Sequence, residues 1–227
     1  MNIQKNHLQG KGMTSLRTRQ RLIERLTKKG ISDVRILEAM RDSPRHLFLD
    51  EALSSHAYED LAFPIGYQQT ISQPYIVAKM TESLIEGDKM NEVPINHCLE
   101  IGTGCGYQTY ILSLFSKKVT SVERIEPLQD KAKETLKNLG VRNVTFKIDD
   151  GNNLGRLKYD AILSAAAPLS VPSSLKERLA VGGRLILPVG DSQRQVLTLI
   201  HRIDNDSYEE KRLEDVLFVP LLKGIVS

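Results

Sequence analysis

A glycine-rich stretch near the middle of the chain reads Glu100-Ile101-Gly102-Thr103-Gly104-Cys105-Gly106. An apolar run precedes it and a segment with helical spacing follows it, so the pattern predicts a strand, a tight turn and a helix. Glycines allow the backbone to turn sharply and allow a ligand to approach the main chain. In open α/β sheets, ligands bind at such turns beyond the carboxyl ends of the strands.

Acidic residues stand at the ends of the next two predicted strands. Glu123 follows Gly102 by 21 positions, where a carboxylate can accept hydrogen bonds from both hydroxyls of a ribose. The segment Asp149-Asp150-Gly151 ends the third strand. A dinucleotide fingerprint would need glycine where Tyr107 stands. Three signals at three successive strand ends therefore predict a cofactor that is a nucleoside rather than a dinucleotide.

A second group of candidate residues lies upstream, in the segment from Tyr58 to Pro74. Its last part, Thr70-Ile71-Ser72-Gln73-Pro74, predicts the start of a helix, with a hydroxyl as the cap and proline in the first turn. A helix cap does not explain the apolar, glycine-containing loop in front of it. This loop is therefore a candidate for binding a substrate.

Composition and length restrict the class of protein. The 227 residues fit one large domain, or one domain with a helical arm. A formal net charge of +3 does not favour a nucleic-acid partner, and no apolar run approaches the roughly 20 residues of a membrane helix. Residues 1–12 lack the apolar stretch of a signal peptide, and Cys98 and Cys105 are expected to be free thiols. These features predict a cytoplasmic protein.

The elements needed to position these residues follow from periodicity. The first third predicts helices: one from Leu16 to before Gly30, one after Ser32 as N-cap with Val34, Leu37 and Met40 inward, and one from Pro74. The Pro74 helix should bury Ile76, Val77, Met80 and Leu84. Strands and helices then alternate: His97–Ile101, Tyr107–Phe115, Val119–Val122, Leu128–Leu139, Val144–Ile148, Tyr159–Leu163, Arg184–Pro188, Val196–His201 and Val216–Leu222. This alternation predicts an α/β fold with a parallel sheet, and its last two strands should form an antiparallel hairpin.

Several segments together give a specific resemblance. The glycine turn resembles the first motif of the Rossmann-like class I methyltransferases, and residues 58–74 resemble the substrate loop of protein-L-isoaspartate O-methyltransferases. The segments 159–168, 182–190 and 218–221 resemble the fourth-strand, fifth-strand and C-terminal motifs of that family. The similarity runs from about Leu16 to the C-terminus.

The resemblance implies a mostly parallel seven-stranded sheet with helices on both faces and an N-terminal helical arm. It implies S-adenosyl-L-methionine as cofactor, S-adenosyl-L-homocysteine as product, and damaged proteins or peptides as substrates. Their isoaspartyl carboxylates would be methylated and would then form a succinimide. Residues 13–90 would carry the substrate loop and residues 91–227 the cofactor core, after a disordered extension at 1–12. We expect a monomer that needs neither a metal, nucleic acid nor a membrane.

The resemblance also assigns roles to residues. Ser72 would hold the substrate carboxylate and is the candidate catalytic residue. The expected cofactor contacts are Thr70, Ile71, Gly102, Gly104, Glu123, Arg124, Asp150 and Gly151. The expected substrate contacts, besides Ser72, are Ile65, Gly66, Ala166, Ala167 and Pro168.

The sequence departs from the family pattern at three places. Gln68 stands where bacterial members usually have glycine, although Ile-Gly-aromatic-Gln resembles the eukaryotic branch. Cys105 replaces a serine, and a thiol at a helix start is a candidate for a lowered pKa and oxidation sensitivity, or else an inert small residue. The segment 152–158 is about two residues shorter than usual and lacks the common tryptophan.

Two other functions stay open at this point. The fold also serves methyltransferases of nucleic acids and small molecules, although Ala165-Ala166-Ala167-Pro168 replaces the Asn/Asp-Pro-Pro-aromatic signature of amino-methyltransferases. A catalytically idle homologue that binds cofactor or a protein partner is the second alternative. The sequence leaves undecided the preferred substrates, the oligomeric state, and whether Met1 or Met13 begins translation.

Overall fold

The computed structural model of the chain describes residues 12–88, 91–151 and 155–227. The extension expected at residues 1–12 lies outside this part, apart from Gly12, which begins a 3₁₀ turn. The helices are α1 (Leu16–Lys28), α2 (Val34–Asp42), α3 (Glu51–Ser54), α4 (Pro74–Ile85), α5 (Tyr107–Phe115), α6 (Glu126–Asn138) and α7 (Ser173–Lys176). The strands are β1 (Phe63–Gly66), β2 (Gln69–Ile71), β3 (Ile95–Ile101), β4 (Ser116–Glu123), β5 (Val144–Ile148), β6 (Tyr159–Ser164), β7 (Leu179–Gly190), β8 (Gln195–Arg202) and β9 (Tyr208–Val216).

The seven strands from β3 to β9 form one sheet in the order β5-β4-β3-β6-β7-β8-β9. The first five strands in this order are mutually parallel, whereas β8 is antiparallel to both of its neighbours. The chain therefore runs from β3 through β4 to β5 at one edge of the sheet. It then returns to β6, beside β3, and continues to β9 at the other edge. This arrangement creates a crevice between β3 and β6, the usual ligand site of such sheets. The predicted α/β class with a mostly parallel sheet is confirmed.

Two apolar clusters cover the two faces of this sheet. Successive strand residues point to opposite faces, so Cys98 belongs to the larger cluster and its neighbour Leu99 to the smaller one. The larger cluster also contains residues of α1, α2, α4 and α5, and the smaller one contains Leu175 of α7. The N-terminal helices and the sheet thus share one core, and the predicted placement of helices on both faces is confirmed.

The start of α2 differs from the prediction. Its N-cap is Asp33, whose Oδ1 accepts a hydrogen bond from the Arg35 main-chain N–H at 2.9 Å. The main-chain N–H of Ser32 instead donates to Glu82 of α4 at 2.7 Å. The predicted cap Ser32 is therefore wrong, because aspartate and serine serve equally well as caps and a contact with another helix decides between them.

The buried face of α2 also differs at one position. Val34 is 63% exposed, so its predicted inward orientation is wrong. Met40 is fully buried and Leu37 packs against the core, as predicted, while Ile36 takes the place expected for Val34. Ile36 and Met40 are four positions apart and therefore lie on the same side of the helix.

The helix α4 begins at Pro74 as predicted, and its Ile76, Val77, Met80 and Leu84 are buried. Its N-cap is Gln73, and no side chain of that cap bonds the first turn. The predicted hydroxyl cap is therefore wrong. The Tyr75 N–H in the first turn donates instead to Oδ1 of Asp60 at 2.8 Å, a residue from the preceding loop.

The last strand lies earlier in the chain than predicted. The antiparallel partner of β8 is Tyr208–Val216, so the prediction of a strand at 216–222 is wrong. The strand β9 carries mostly charged side chains, which suit an edge strand with little apolar contact. Residues 217–222 leave the sheet edge, and Pro220 forms an isolated bridge with Ala167 after β6.

The expected substrate loop contains a small antiparallel hairpin, β1–β2, that periodicity did not predict. Gly66 pairs with Gln69, and the two residues between them, Tyr67 and Gln68, have φ values of 51° and 57°. Both φ values are positive, as in a type I′ hairpin turn, where glycine is usual. Within the described ranges, Tyr67 and Gln68 are the two non-glycine residues that have a positive φ. The residue that departs from the bacterial pattern, Gln68, is thus in a strained conformation.

Replacing Gln68 by glycine should stabilise the fold. The left-handed conformation costs a non-glycine residue roughly 1–2 kcal/mol, of which glycine's greater flexibility in the unfolded chain cancels about 0.5–1 kcal/mol. We expect Gln68→Gly to raise Tm by about 1–3 °C in thermal unfolding monitored by circular dichroism. Gln69→Gly, one position later in β2, is the matched control and should lower Tm. A decrease in Tm for Gln68→Gly would contradict the assignment of strain to this turn.

Candidate active site

A cavity of about 630 Å³ opens at the carboxyl ends of β3, β4, β5 and β6. One part is lined by residues at the ends of these strands or just after them: Ile101, Gly102, Gly104, Val122, Glu123, Arg124, Asp149, Asp150, Ala165 and Ala166. The other part is lined by residues 214–222 and by Ala62, Gln68, Gln69, Thr70, Ser72, Gln73 and Ile76. The glycine turn and the predicted substrate loop therefore face one continuous space.

The glycine turn is held tightly against its neighbours. The Gly102 N–H donates to the carbonyl of Val122 at 2.8 Å, which ties the turn to β4. A Cβ at Gly102 would lie 3.3 Å from the Cβ of Ala165, and a Cβ at Gly104 would lie 3.3 Å from Cδ1 of Ile65. Both glycines have positive φ, so conformation and close packing each favour glycine here.

Glu123 braces this turn from the end of β4. Its Oε2 accepts a hydrogen bond from the Gly104 N–H at 2.9 Å. Its Oε1 accepts from the main-chain N–H groups of Arg124 and Ile125 at 2.8 and 3.0 Å. The side chain is 6% exposed and lines the cavity. Because each carboxylate oxygen can accept more than one hydrogen bond, Glu123 retains capacity for ligand hydroxyls.

The C-terminal residues close the outer edge of this part. Nε of Arg124 donates to the Gly224 carbonyl at 2.9 Å, and the Gly224 N–H donates to Oδ2 of Asp150 at 2.8 Å. Asp149, next to Asp150, accepts from the Gly151 N–H at 2.8 Å. The loops after β4 and β5 are thus linked through the main chain of Gly224 near the C-terminus. Gly151 itself packs near Ile101, behind the cavity wall.

Ser72 lies on the opposite wall, one residue after β2. Its main-chain carbonyl accepts a hydrogen bond from Nη2 of Arg45 at 2.8 Å. Its half-buried hydroxyl has no hydrogen-bond partner among the residues that the structure describes. Since this hydroxyl does not cap α4, it is available to a ligand in the cavity.

The structure places the predicted site residues in two groups. Those that line the cavity are Thr70, Ser72, Gly102, Gly104, Glu123, Arg124, Asp150 and Ala166. Those that lie outside its lining are Ile65, Gly66, Ile71, Gly151, Ala167 and Pro168. Several of the second group support the wall: Ile71 is buried, Ile65 contacts the glycine turn, and the Ala167 N–H donates to the Val219 carbonyl at 2.8 Å.

The segment 214–222 is a wall that the sequence did not assign to the site. Glu214 near its start accepts a hydrogen bond from the Tyr75 hydroxyl at 2.9 Å, which connects β9 to α4. Burial and the adjacent Glu214 raise the pKa of Tyr75 to about 12. The motif at 218–221 was the one signal available, but it marked the family rather than a contact with the cavity.

The structure contradicts the hypothesis that Cys105 has a lowered pKa. The thiol is 8% exposed, and burial raises its pKa to about 11. The thiolate, which is the reactive form, is therefore scarce at neutral pH. Burial and the raised pKa therefore favour the alternative expectation of a small residue packed within the glycine turn, and both Cys105 and Cys98 are free, as predicted.

Glu100 lies directly behind the glycine turn and is fully buried. Its Oε2 accepts hydrogen bonds from the hydroxyls of Thr109 and Ser121 at 2.5 and 2.6 Å, and Ser121 also contacts Thr103 of the turn at 2.6 Å. Burial raises the pKa of Glu100 from 4.5 to about 8, against the lowering effect of the two hydroxyls. At neutral pH the folded protein therefore holds this side chain mainly as the neutral acid.

This buried acid predicts a dependence of stability on pH. Between pH 4.5 and about 8 the unfolded chain ionises at Glu100 while the folded protein keeps the proton. The free energy of unfolding should therefore fall as pH rises, by about 1.4 kcal/mol per pH unit from this group. Glu100→Gln should lack this contribution and gain relative to wild type across pH 5–8. Urea unfolding of both proteins at several pH values measures the difference.

Glu24→Gln on the exposed side of α1 provides the matched control, and its difference from wild type should not vary by more than about 0.5 kcal/mol over this range. A Glu100→Gln difference that is equally flat from pH 5 to 8 would show that Glu100 is ionised in the folded protein.

The cavity fits a nucleoside cofactor on several observations. Its volume is within the range of small-molecule sites. The two glycines leave main chain open to close approach, and Glu123 and Asp150 offer acceptor oxygens at adjacent strand ends. Within the described residues, no group of three or more histidine, cysteine, aspartate or glutamate side chains could hold a metal ion, and no helix is long and apolar enough to cross a membrane.

Known proteins match this sequence over almost its whole length. A family model described as protein-L-isoaspartate (D-aspartate) O-methyltransferase matches residues 17–225. A protein-L-isoaspartate O-methyltransferase of Alcanivorax borkumensis is 50% identical over 221 residues, which cover 96% of this chain and 98% of that protein. One of Saccharophagus degradans is 54% identical over 224 residues, covering 96% and 97% respectively.

Solved structures agree with this relationship. A protein-L-isoaspartate O-methyltransferase from Plasmodium falciparum, in complex with S-adenosyl-L-homocysteine, superposes with a TM-score of 0.77 at 25% identity. The match covers 90% of this chain and 98% of that one. A second solved protein-L-isoaspartate O-methyltransferase gives a TM-score of 0.76 at 28% identity, covering 89% and 65%. With the motifs, the cavity and these relatives in agreement, the chain belongs to the protein-L-isoaspartate (D-aspartate) O-methyltransferase family.

Proposed function

We propose that the protein methylates the free carboxylate of L-isoaspartyl residues in damaged proteins and peptides, using S-adenosyl-L-methionine. The adjacent main-chain amide nitrogen then attacks the ester carbonyl and methanol leaves, which gives a succinimide that water can reopen to a normal aspartyl residue. The observation that carries this proposal is the continuous cavity that joins the Glu123-braced glycine turn to the hydroxyl of Ser72, which has no hydrogen-bond partner among the described residues. Membership of the family and the names of the relatives support it.

The reaction requires alignment more than acid–base chemistry. A carboxylate is already ionised at neutral pH, so no general base has to activate it. When bound, S-adenosyl-L-methionine supplies an electrophilic methyl group on its sulfonium. The chain would contribute Ser72, whose hydroxyl donates to one carboxylate oxygen and directs the other towards the methyl group. Positioning of this kind, with water kept away, is worth several orders of magnitude in rate.

The two parts of the chain would divide the remaining work. In residues 91–227, Glu123 and Asp150 would accept from the ribose and contact the adenine, beside Gly102 and Gly104. Residues 13–90 would provide the substrate loop around Ser72. The predicted contacts outside the cavity lining would act by supporting its walls: Ile65, Gly66, Ile71, Gly151, Ala167 and Pro168. We propose the cytoplasm as the location, which the two free cysteines support.

The proposed function predicts selective formation of base-labile methyl esters. Incubation with labelled S-adenosyl-L-methionine and an isoaspartyl peptide should release labelled methanol after mild alkali. The aspartyl peptide of the same sequence differs only in the position of its carboxylate and should give at least about a hundredfold less, since misplacement by about 1 Å costs that much.

Two results would overturn the proposal. Equal labelling of the isoaspartyl and aspartyl peptides, or labelling of nucleic acid alone, would indicate another methyltransferase activity. Binding of S-adenosyl-L-homocysteine without methylation of any isoaspartyl peptide would indicate an idle homologue.

Variants at Ser72 and Glu123 should separate substrate alignment from cofactor binding. Ser72→Ala should lower kcat/KM for the peptide by on the order of a hundredfold and leave cofactor affinity unchanged. Since Ser72 caps no helix, its Tm should stay near that of wild type. Glu123→Ala should weaken cofactor binding roughly tenfold to a hundredfold, because hydrogen bonds to a charged group are worth about 1.5–3 kcal/mol. Titration calorimetry and peptide kinetics measure both.

Ser83→Ala is the matched control for the loss of a hydroxyl. The Ser83 hydroxyl bonds a main-chain carbonyl within α4 and does not line the cavity, so its kinetics should match wild type. Wild-type kcat/KM in Ser72→Ala would remove Ser72 from the reaction, and wild-type cofactor affinity in Glu123→Ala would remove Glu123 from cofactor binding.

A further inference from the structure

A buried arginine lies directly behind Ser72. Arg45 has no exposed surface, and its Nη2 donates to the Ser72 carbonyl at 2.8 Å. Its Nε donates to the Ala57 carbonyl at 2.9 Å, and its guanidinium lies 4.7 Å from the centre of the Tyr107 ring. Its Nη1 has no hydrogen-bond partner among the described residues. Arg45 thus joins the segment that carries Ser72 to Tyr107, the first residue of α5.

The charge of Arg45 has no carboxylate in ion-pair contact within the described part of the chain. The nearby acid Asp60 is engaged elsewhere, because its Oδ2 pairs with Lys29 at 2.6 Å and its Oδ1 accepts from the Tyr75 N–H at 2.8 Å. Burying an unpaired charge is costly. A neutral donor such as glutamine could bond the Ser72 carbonyl at a lower cost, so this hydrogen bond alone does not account for an arginine.

The charges of the residues that line the cavity indicate what the positive charge of Arg45 could do. The lining residues include five acids, Glu123, Asp149, Asp150, Glu214 and Asp215, and one cation. That cation, Arg124, bonds the Gly224 carbonyl on the cofactor side. Acids therefore outnumber cations in the lining of this cavity, and Arg45 is a cation bonded to the Ser72 main chain from behind it.

We propose that Arg45 is a positioning residue whose fixed positive charge makes the Ser72 subsite selective for an anionic side chain, while its hydrogen bond holds the Ser72 main chain. The inference rests on the proposed function, since it assigns the carboxylate of the substrate to Ser72. Arg45 acts from behind the wall, through the field at the subsite and through Ser72. In general, two unit charges several ångströms apart at a protein-like dielectric change each other's binding by about tenfold or more.

The test compares two peptides that differ in charge. One carries an isoaspartyl residue, and the other has the same sequence with the neutral side-chain-derived amide in place of the free carboxylate. Calorimetry measures the Kd of each for the protein saturated with S-adenosyl-L-homocysteine, so the readout does not depend on turnover. Wild type should bind the carboxylate peptide at least tenfold more tightly than the amide peptide.

Variants then assign this preference to Arg45. Arg45→Gln keeps a donor for the Ser72 carbonyl but removes the charge, and it should reduce the preference to within about twofold. Arg45→Lys keeps the charge and should retain most of it. Arg19→Met is the matched control, because Arg19 is also buried, bonds main-chain carbonyls and lies 5.0 Å from the Tyr58 ring, away from the cavity. It should lower Tm without changing the ratio of the two Kd values.

Two outcomes would overturn the proposal. Equal weakening of both peptides by Arg45→Gln would show a purely structural role. Equal binding of both peptides by wild type would also overturn the proposal, and this result does not depend on whether Arg45→Gln folds. Failure of the proposed function is a separate result, because it would appear as a lack of methyl transfer to the isoaspartyl peptide whatever the ratio of the Kd values.

Discussion

The cavity depends on the hydrogen bonds that the carboxylate of Glu123 accepts from three main-chain N–H groups. They belong to Gly104 in the turn after β3 and to Arg124 and Ile125 after β4. Bonds between a carboxylate and main-chain N–H groups are roughly twice as strong as neutral ones. The same side chain therefore fixes two adjacent loops and presents its remaining acceptor capacity to a ligand between them. Under the proposed function, cofactor binding and local folding would be coupled at this residue.

The loop at residues 58–74 is attached to the glycine turn through close packing and buried polar side chains. Gly104 lacks the Cβ that would crowd Ile65 of β1, so the hairpin can lie directly over the glycine turn. Arg45 and Asp60 bond main-chain groups around Ser72 and Tyr75 that have no partner in a sheet. Buried main-chain groups need such partners, and these two side chains supply hydrogen bonds that the irregular segment lacks from a sheet.

Local patterns predicted the parts of the site that local chemistry determines. The run from β3 to α5 and the acids at the ends of β4 and β5 followed from glycine, periodicity and strand ends. The polar strand β9, the positive φ of Tyr67 and Gln68, and the wall at 214–222 depend on neighbours distant in sequence. Arg45 was missed for the same reason, since nothing near it in the chain shows that it will be buried behind Ser72.

The proposed reaction requires a substrate site that holds its position to within about 1 Å. Aspartyl and isoaspartyl residues both carry one carboxylate, so charge attracts both and cannot separate them. They differ in the position of one methylene, which lies in the side chain of aspartate and in the main chain of isoaspartate, so the carboxylate is displaced by about 1.5 Å, the length of one C–C bond. A loop that moved by this distance would accept either residue. In the proposed reaction, the hydrogen bond from Arg45 to the Ser72 carbonyl would help to hold the Ser72 hydroxyl in place relative to the main chain of the bound peptide.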